Sequence, residues 1–214
     1  MKKTTLLVIS VLFASIVYGQ YDEKARSILD AMSTRYSKIN SYKAKIISSL
    51  INESDGINEE MTGEITVKGD KFRLKLDGQE IYNDGSTVWT YLSEANEVNI
   101  DNYNSEEEII SPSKIYNAYK DGYKYVHLSE STVEGLNCDE IDLVPENAKD
   151  NQFFKIKMFI SQKDRSLVSW VMFEKSGNKY KYTINDFKTG MTVTDSYFKF
   201  NTTEHPGVEV VDLR

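Results

Sequence analysis

Hydrophobic and polar residues alternate along most of this chain, but residues 22–39 follow a different spacing. The apolar residues there recur at intervals of three and four, which is the period of an amphipathic helix. Asp22 and Glu23 stand at the start, where negative charge favours a helix N-terminus. A helix with one apolar stripe is expected to lie against a flat surface. The stripe consists of Ala25, Ile28, Leu29, Met32, Tyr36 and Ile39.

The period of two that follows predicts β-strands joined by tight turns. Asp-Gly pairs at residues 55–56, 77–78 and 84–85 supply the positive φ that hairpin turns need. Short connections between successive strands predict an antiparallel meander, and about eleven strands can bend into a partly closed barrel. The predicted strands lie at residues 42–52, 64–67, 72–76, 79–82, 87–92, 97–100, 123–128, 140–143, 153–161, 167–174, 179–187 and 198–200.

Two short amphipathic helices are predicted inside this β chain. Residues 105–108 read Ser-Glu-Glu-Glu, a capping-box pattern that starts a helix, and two isoleucines follow. Ser111 then precedes Pro112, which suits the first position of a second helix, and Gly122 ends that helix.

Some of the predicted strands are apolar on both faces, although a strand over an ordinary core needs only one apolar face. Segment 87–92 places Trp89 and Tyr91 on one face and Val88 and Leu92 on the other. Segment 167–173 is apolar on both faces. Segment 153–160 places Phe154, Ile156, Met158 and Ile160 on one face and Phe153 and Phe159 on the other.

The second apolar face has two interpretations. In the first, the sheet forms a sandwich or curls on itself, and its own side chains fill the interior. In the second, the barrel is too wide to fill itself, and the short helices cover a cavity. Because apolar stripes usually belong to a core, the pattern alone favours the filled interior.

The first residues have the pattern of an export signal. Lys2 and Lys3 precede an apolar run at residues 6–17, which is too short to span a membrane, and a small-x-small sequence ends at Gly19. We therefore expect residues 1–19 to be a cleavable signal peptide and residues 20–214 to form a single soluble periplasmic domain. No cysteine stands directly after the expected cleavage site, so we expect the mature chain to carry no lipid anchor of its own.

Charge and cysteine content narrow the classes of function. The chain has 26 basic and 33 acidic residues, so without the two signal lysines its net charge is (26 − 2) − 33 = −9. This charge argues against nucleic acid and against unaided adhesion to anionic membranes. Cys138 is the one cysteine, so no internal disulfide can form, and we interpret it as a small core residue.

Residues with catalytic chemistry are few. His127 and His205 have no second histidine or cysteine at metal-ligand spacing. A hydrolytic carboxylate pair is conceivable among Asp84, Glu94 and Glu97, but a chain this rich in acids offers such pairs by chance. The sequence therefore predicts a protein that is not an enzyme and needs no cofactor or metal.

The order of segments resembles the periplasmic outer-membrane lipoprotein carrier family, LolA, across essentially the whole mature chain. The resemblance rests on "VKGDKFRL" at 67–74, "DGSTVWTYLSEANEV" at 84–98, "SPSKIYNAY" at 111–119 and the ending "PGVEVVDLR" at 206–214. It implies an incomplete antiparallel barrel of about eleven strands, with an N-terminal helix and lid helices over a hydrophobic cavity.

The resemblance also implies a function. A carrier of this family receives the acyl chains of lipoproteins from an inner-membrane ABC-type exporter and passes them to an acceptor at the outer membrane. We expect this chain to act as a monomer. The residues expected to contact lipid are Phe72, Leu74, Trp89, Tyr91, Ile109, Ile110, Ile115, Tyr119, Phe154, Ile156, Met158, Trp170 and Met172.

One departure from the family concerns how the lid is held shut. Well-known members have an arginine directly after the lysine of the "VK" strand end, and that arginine bonds to the lid backbone. In this chain Lys68 is followed by Gly69. Either Lys71 or Arg73 replaces the arginine, or the lid is held more loosely. Phe72 matches the family's aromatic residue that serves in cargo uptake.

Two other functions remain as alternatives. The same scaffold serves as a lipid-binding or envelope-stress sensing module, although such proteins usually carry a second domain. The other alternative is a secreted hydrolase that uses the carboxylates named above.

Overall fold

The computed structural model describes residues 22–103, 114–147, 149 and 151–214. These residues form one curled, open sheet of twelve strands with one α-helix, α1, at Glu23–Ser37. The prediction of a mainly β fold behind an N-terminal helix is confirmed. The strands are β1 Ser41–Asn52, β2 Ile57–Lys68, β3 Lys71–Leu76, β4 Gln79–Asn83, β5 Thr87–Leu92, β6 Glu97–Asn102, β7 Tyr123–Val133, β8 Leu136–Pro145, β9 Phe153–Ser161, β10 Leu167–Glu174, β11 Lys179–Thr189 and β12 Glu209–Asp212.

The sheet is an antiparallel meander in two arms. One arm runs from β1 through β2, β3, β4 and β5 to β6, and the other runs from β1 through β11, β10, β9 and β8 to β7. Hairpins join most neighbours, as the turn residues predict. β1 and β11 are far apart in sequence, and the hydrogen-bonded pairing between them joins the two arms into one sheet.

The C-terminal segment departs from the predicted pattern. The strand predicted at 198–200 does not form; the chain makes 3₁₀ helices at Asp195–Phe198 and Thr202–Glu204 and adds β12 only at Glu209–Asp212. The Asn201 side chain accepts a hydrogen bond from the Thr203 amide, which starts the second turn instead of extending a strand. β12 pairs with β6 in parallel, so one strand of the sheet is not antiparallel.

Helix α1 is fixed to the sheet by its cap and its apolar stripe. The Asp22 carboxylate accepts hydrogen bonds from the amides of Lys24 (2.9 Å) and Ala25 (3.1 Å), which caps the helix. It also accepts from the His127 amide of β7 (2.8 Å), and these bonds, His127 first, lower the pKa of Asp22. The predicted stripe is confirmed, because all its members but Ile39 are buried.

The second predicted short helix forms a 3₁₀ helix at Ile115–Lys120, and Gly122 follows it at φ +72°. Three other predictions lie outside the described residues. They are the helix that starts at residue 105, the lipid contacts Ile109 and Ile110, and the signal peptide. Within the described part of the chain, no helix has the length and apolar character needed to cross a membrane.

Candidate hydrophobic binding site

The sheet has one face, here called the inner face, that α1 and the 3₁₀ helix at 115–120 cover. The Tyr36 ring of α1 stacks on Tyr116, and the Tyr116 hydroxyl donates to the Tyr42 hydroxyl of β1 at 3.3 Å. The strand register then assigns every other side chain to a face, since paired residues point to the same side. Tyr42 pairs with Val67, and Val67 pairs with Phe72, so these residues lie on the inner face.

The next inner row continues along both arms of the sheet. On the first arm, Ile65 pairs with Leu74 and Leu74 pairs with Ile81. On the second arm, Trp170 lies between Met158 of β9 and Tyr182 of β11. Met172 and Ile156 form the neighbouring pair on the same face.

The structure brings eight of the predicted lipid-contact residues together around this inner face. Phe72, Ile156, Met158, Trp170 and Met172 are buried in one hydrophobic cluster, and Leu74 packs against that cluster while partly exposed. Ile115 and Tyr119 belong to the same cluster from the 3₁₀ helix.

Trp89 and Tyr91, also predicted to contact lipid, lie on the face opposite to that of Phe72 and Leu74. Trp89 pairs with Tyr82, and Tyr91 pairs with Glu80. On β4, Ile81 lies between Glu80 and Tyr82 and points to the inner face, so both pairs point to the outer one. Residues 195–205, here called the outer cover, pack on this side. The Tyr91 ring lies 5.2 Å from Phe200 and 4.3 Å from His205, centroid to centroid. The second apolar face of β5 is therefore a separate, filled layer.

Phe154 is also on the outer side, because a β-bulge reverses the alternation at the start of β9. Phe173 pairs with Lys155 and Glu174 pairs with Phe153, which leaves Phe154 as the extra residue. Phe154 is 43% exposed, and its ring contacts that of Phe173. Phe153 takes the inner position and packs edge-on against Tyr180.

Sequence reasoning missed several inner residues, most of them tyrosines. Tyr180 and Tyr182 alternate along β11 and stay partly exposed beside the cluster, and Tyr125 does the same on β7. Their period-two spacing was visible in the sequence. Tyr36 belongs to the predicted helix stripe, but no sequence signal links it to Tyr42 and Tyr116, because the three come from separate elements.

Three hydrogen bonds hold the 3₁₀ helix over the inner face. Ser33 Oγ of α1 donates to Asn117 Oδ1 at 2.7 Å, and the Tyr119 hydroxyl donates to Asp30 Oδ1 at 2.6 Å. The third is the Tyr116–Tyr42 bond. Burial, and then the Asp30 carboxylate, raise the pKa of Tyr119, so its hydroxyl stays protonated as the donor.

Among the described residues, the basic side chains near Gly69 bind groups on the outer side of the sheet. Lys68 and Lys71 bind Asp195 of the outer cover at 3.0 and 2.8 Å. Arg73 points to the outer side, where it binds Glu80 at 2.8 Å and lies over the Tyr82 ring. A pocket of about 310 Å³ lies beside Gly69, at the seam between α1, the 3₁₀ helix and β1–β2.

Two carboxylates outside this face, Asp84 and Asp139, have structural partners. The Asp84 carboxylate accepts hydrogen bonds from the Ser86 and Thr87 amides and so forms its own turn. His127, Glu130 and Asp139 bring ligand atoms within 4.8 Å of one another. Asp139 is already bound by Arg165 at 2.7 Å and by His127 at 3.0 Å, so its charge is balanced by the protein itself.

Comparison of the sequence with known proteins identifies the family to which this chain belongs. The family model described as "Outer membrane lipoprotein carrier protein LolA" matches residues 37–201. An outer-membrane lipoprotein carrier protein of Wigglesworthia glossinidia brevipalpis is 27% identical over 209 residues, covering 93% of this chain and 95% of that protein.

Solved structures resemble the fold at low identity. An uncharacterized conserved protein from Thermus thermophilus has a TM-score of 0.56 at 14% identity, covering 87% of this chain and 98% of its own. LprF from Mycobacterium bovis has a TM-score of 0.50 at 14% identity, with 82% and 98% covered. At these identities the likeness concerns the fold alone.

Proposed function

Because this chain belongs to the outer membrane lipoprotein carrier protein LolA family, we propose that it binds lipoproteins by their acyl chains and carries them through the periplasm. The observation that carries the proposal is the inner face, where buried apolar side chains border partly exposed ones. Leu74, Ile81 and Tyr182 lie at that border. They offer apolar surface that the protein's own helix does not fully enclose.

The energetics favour burial of the cargo in such a surface. Each methylene withdrawn from water contributes about 0.8 kcal/mol, so an acyl chain crosses an aqueous compartment only inside an apolar shelter. Aromatic rings and methionines suit this purpose, because they adapt to flexible chains without demanding one shape. Met158, Trp170 and Met172 supply such side chains here.

The lipid contacts divide into two layers in this proposal. Leu74 and its partly exposed neighbours meet the chain first. Phe72, Ile156, Met158, Trp170 and Met172 are buried beneath the helices, so the acyl chain reaches them when the cover at Ile115 and Tyr119 moves aside. Ile109 and Ile110, which lie outside the described residues, are further lipid contacts in this proposal.

The proposal includes the route as well. Residues 1–19 direct export and are removed, and residues 20–214 form the carrier. An inner-membrane ABC-type exporter loads the lipoprotein, and an outer-membrane acceptor unloads it. The negative net charge keeps the carrier from adhering to anionic membrane between the two.

Lipid recovered with the purified protein tests the proposal. We expect mass spectrometry to find acylated lipoprotein or lipid on the protein purified from the periplasm of producing cells. Leu74→Asn places an amide on the inner face and should reduce the recovered lipid at least about fivefold, because an unpaired polar group opposes an apolar ligand.

Phe154→Asn is the matched control, since it changes an exposed apolar residue on the outer side. It should leave the recovered lipid unchanged, and thermal melting establishes that both variants are folded. Equal recovery from Leu74→Asn and the unmodified protein, or no acylated molecule on either, would contradict the proposal.

A further inference from the structure

Trp170 carries a buried hydrogen-bond donor without an acceptor. The residue is 3% exposed, and among the described residues its indole Nε1 has no hydrogen-bond partner. Buried tryptophan N–H groups usually find a partner, and leaving a buried donor unpaired costs about 1–3 kcal/mol. The Trp170 N–H is therefore a candidate donor of a hydrogen bond to a ligand.

The described residues next to Trp170 in the strand register are weak acceptors on the inner face. Its neighbours on the inner face are Met158 and Met172, whose thioethers accept hydrogen bonds weakly, and Tyr182. The Trp170 ring stacks on Tyr182 at 4.9 Å with 18° between the planes, so Tyr182 presents its ring face. The strand carbonyls on both sides take part in the ladders of β9 and β11.

Trp170 also lies at the boundary between the covered and the partly open parts of the inner face. Toward the start of β10, Leu167 is buried and its amide donates to the Tyr36 hydroxyl of α1 at 3.2 Å. Toward the end of β10, the buried Met172 comes next on the inner face, and Phe153 and Tyr180 beside it are partly exposed. A ligand that enters from the partly open side therefore passes Met172 before it meets Trp170.

Acyl chains differ from plain alkyl chains by the carbonyl at their head. An ester carbonyl oxygen accepts an N–H bond, whereas an ether oxygen is a much poorer acceptor. We propose that the Trp170 indole N–H donates to the carbonyl oxygen of a bound acyl ester, so that the site distinguishes acyl from alkyl chains. This inference rests on the proposed function and adds the group that the protein recognises.

A pair of synthetic lipopeptides tests the inference. One carries two short ester-linked acyl chains on a glyceryl-cysteine peptide, and its twin carries ether-linked alkyl chains of the same length. Isothermal titration below their micelle concentrations gives the affinity of the purified protein for each. The unmodified protein should bind the ester about two- to tenfold more tightly than the ether, which is the range of one net hydrogen bond.

Trp170→Phe keeps an aromatic ring in the stack and removes the donor. It should lower the affinity for the ester by the same two- to tenfold and change that for the ether by less than twofold. Trp89→Phe, on the outer side, should change neither affinity. Equal affinities of the unmodified protein for the two lipopeptides would overturn the inference without any variant.

The outcomes separate the inference from the proposed function. Binding of both lipopeptides without discrimination, or equal losses for both in Trp170→Phe, refutes the carbonyl contact and leaves lipid carriage standing. Binding of neither lipopeptide refutes the carrier proposal itself.

Discussion

At the scale of single residues, the position of each aromatic side chain depends on local register more than on its type. Phe153 and Phe154 are neighbours with the same side chain, yet Phe153 packs against the hydrophobic cluster and Phe154 is 43% exposed on the other face. The bulge at Phe154 decides this, because one extra residue in a strand moves the side chains beyond it to the other face.

The two phenylalanines should therefore differ in their contribution to stability. Phe153→Ala should lower the free energy of unfolding by about 2 kcal/mol, since a partly buried ring loses less than a fully buried one. Phe154→Ala should change it by less than about 0.5 kcal/mol. Urea unfolding followed by circular dichroism measures both. A larger loss for Phe154→Ala than for Phe153→Ala would place the bulge elsewhere.

At the scale of elements, two separate covers pack on opposite faces of the same sheet. The 3₁₀ helix at 115–120 lies over the inner face and is bonded to α1 through Ser33–Asn117 and Asp30–Tyr119. The outer cover is bonded to the β2–β3 turn through Asp195. The positive charges near Gly69 thus serve the outer cover, and tyrosine and serine hydroxyls serve the inner one.

Removing the hydroxyl bonds should loosen the inner cover selectively. In a variant with Tyr119→Phe and Ser33→Ala, amide hydrogen exchange over residues 115–120 should speed up about tenfold, because each bond contributes about 0.5–1.5 kcal/mol. Exchange in β4 and β5 should stay unchanged. Lys124→Ala, which changes an exposed side chain on β7, is the control. Unchanged exchange over 115–120 would mean that packing alone holds this helix.

The outer cover should contribute to stability without affecting lipid. Phe200 touches the rings of Tyr82, Tyr91 and His205. Phe200→Ala should lower the free energy of unfolding by about 1–3 kcal/mol and leave lipid recovery unchanged. Lys199→Ala removes the ion pair between the exposed Lys199 and Asp84. It should cost less than about 1 kcal/mol, because Asp84 keeps the hydrogen bonds of its own turn. Loss of lipid from the Phe200 variant would mean that the two faces are coupled.

The elements that could be predicted from the sequence are those encoded locally. Asp-Gly turns, the period of two and the helix stripe gave most of the strands and α1. The inner and outer faces of β5 could not be assigned, since Trp89 and Val88 are both apolar and the residues that cover them lie far along the chain. β12 could not be predicted for a similar reason, because its parallel partner β6 is about a hundred residues away in the sequence.

At the scale of the whole molecule, charged side chains add a second set of contacts between elements that the apolar cluster already joins. Asp139 of β8 binds Arg165 in the β9–β10 turn, and Asp164 of the same turn binds Arg35 of α1 at 3.0 Å. Arg165 adopts a positive φ of 60°, which a non-glycine residue seldom adopts. The turn that bears it is therefore held by its partners on both sides.

This network makes stability depend on pH in a defined direction. Burial would raise the pKa of Asp139, but hydrogen bonds from His127, Gln162 and Arg165 outweigh it and hold that pKa below its usual 3.8. A carboxyl whose pKa is lower in the folded state stabilises the fold above its unfolded pKa. That contribution is lost as the pH falls through the folded value. The protein should thus lose free energy of unfolding below about pH 4.

Asp139→Asn isolates this contribution. At pH 7 the variant should be less stable by about 1–3 kcal/mol, because the Arg165 guanidinium, whose side chain is 37% exposed, loses its charged partner. As the pH falls below 4, the unmodified protein protonates Asp139 and the two stabilities should converge. Urea unfolding of both proteins at pH 7, 5, 4 and 3 measures the gap. A gap that stays constant down to pH 3 would mean that the Asp139 charge does not hold the turn to the sheet.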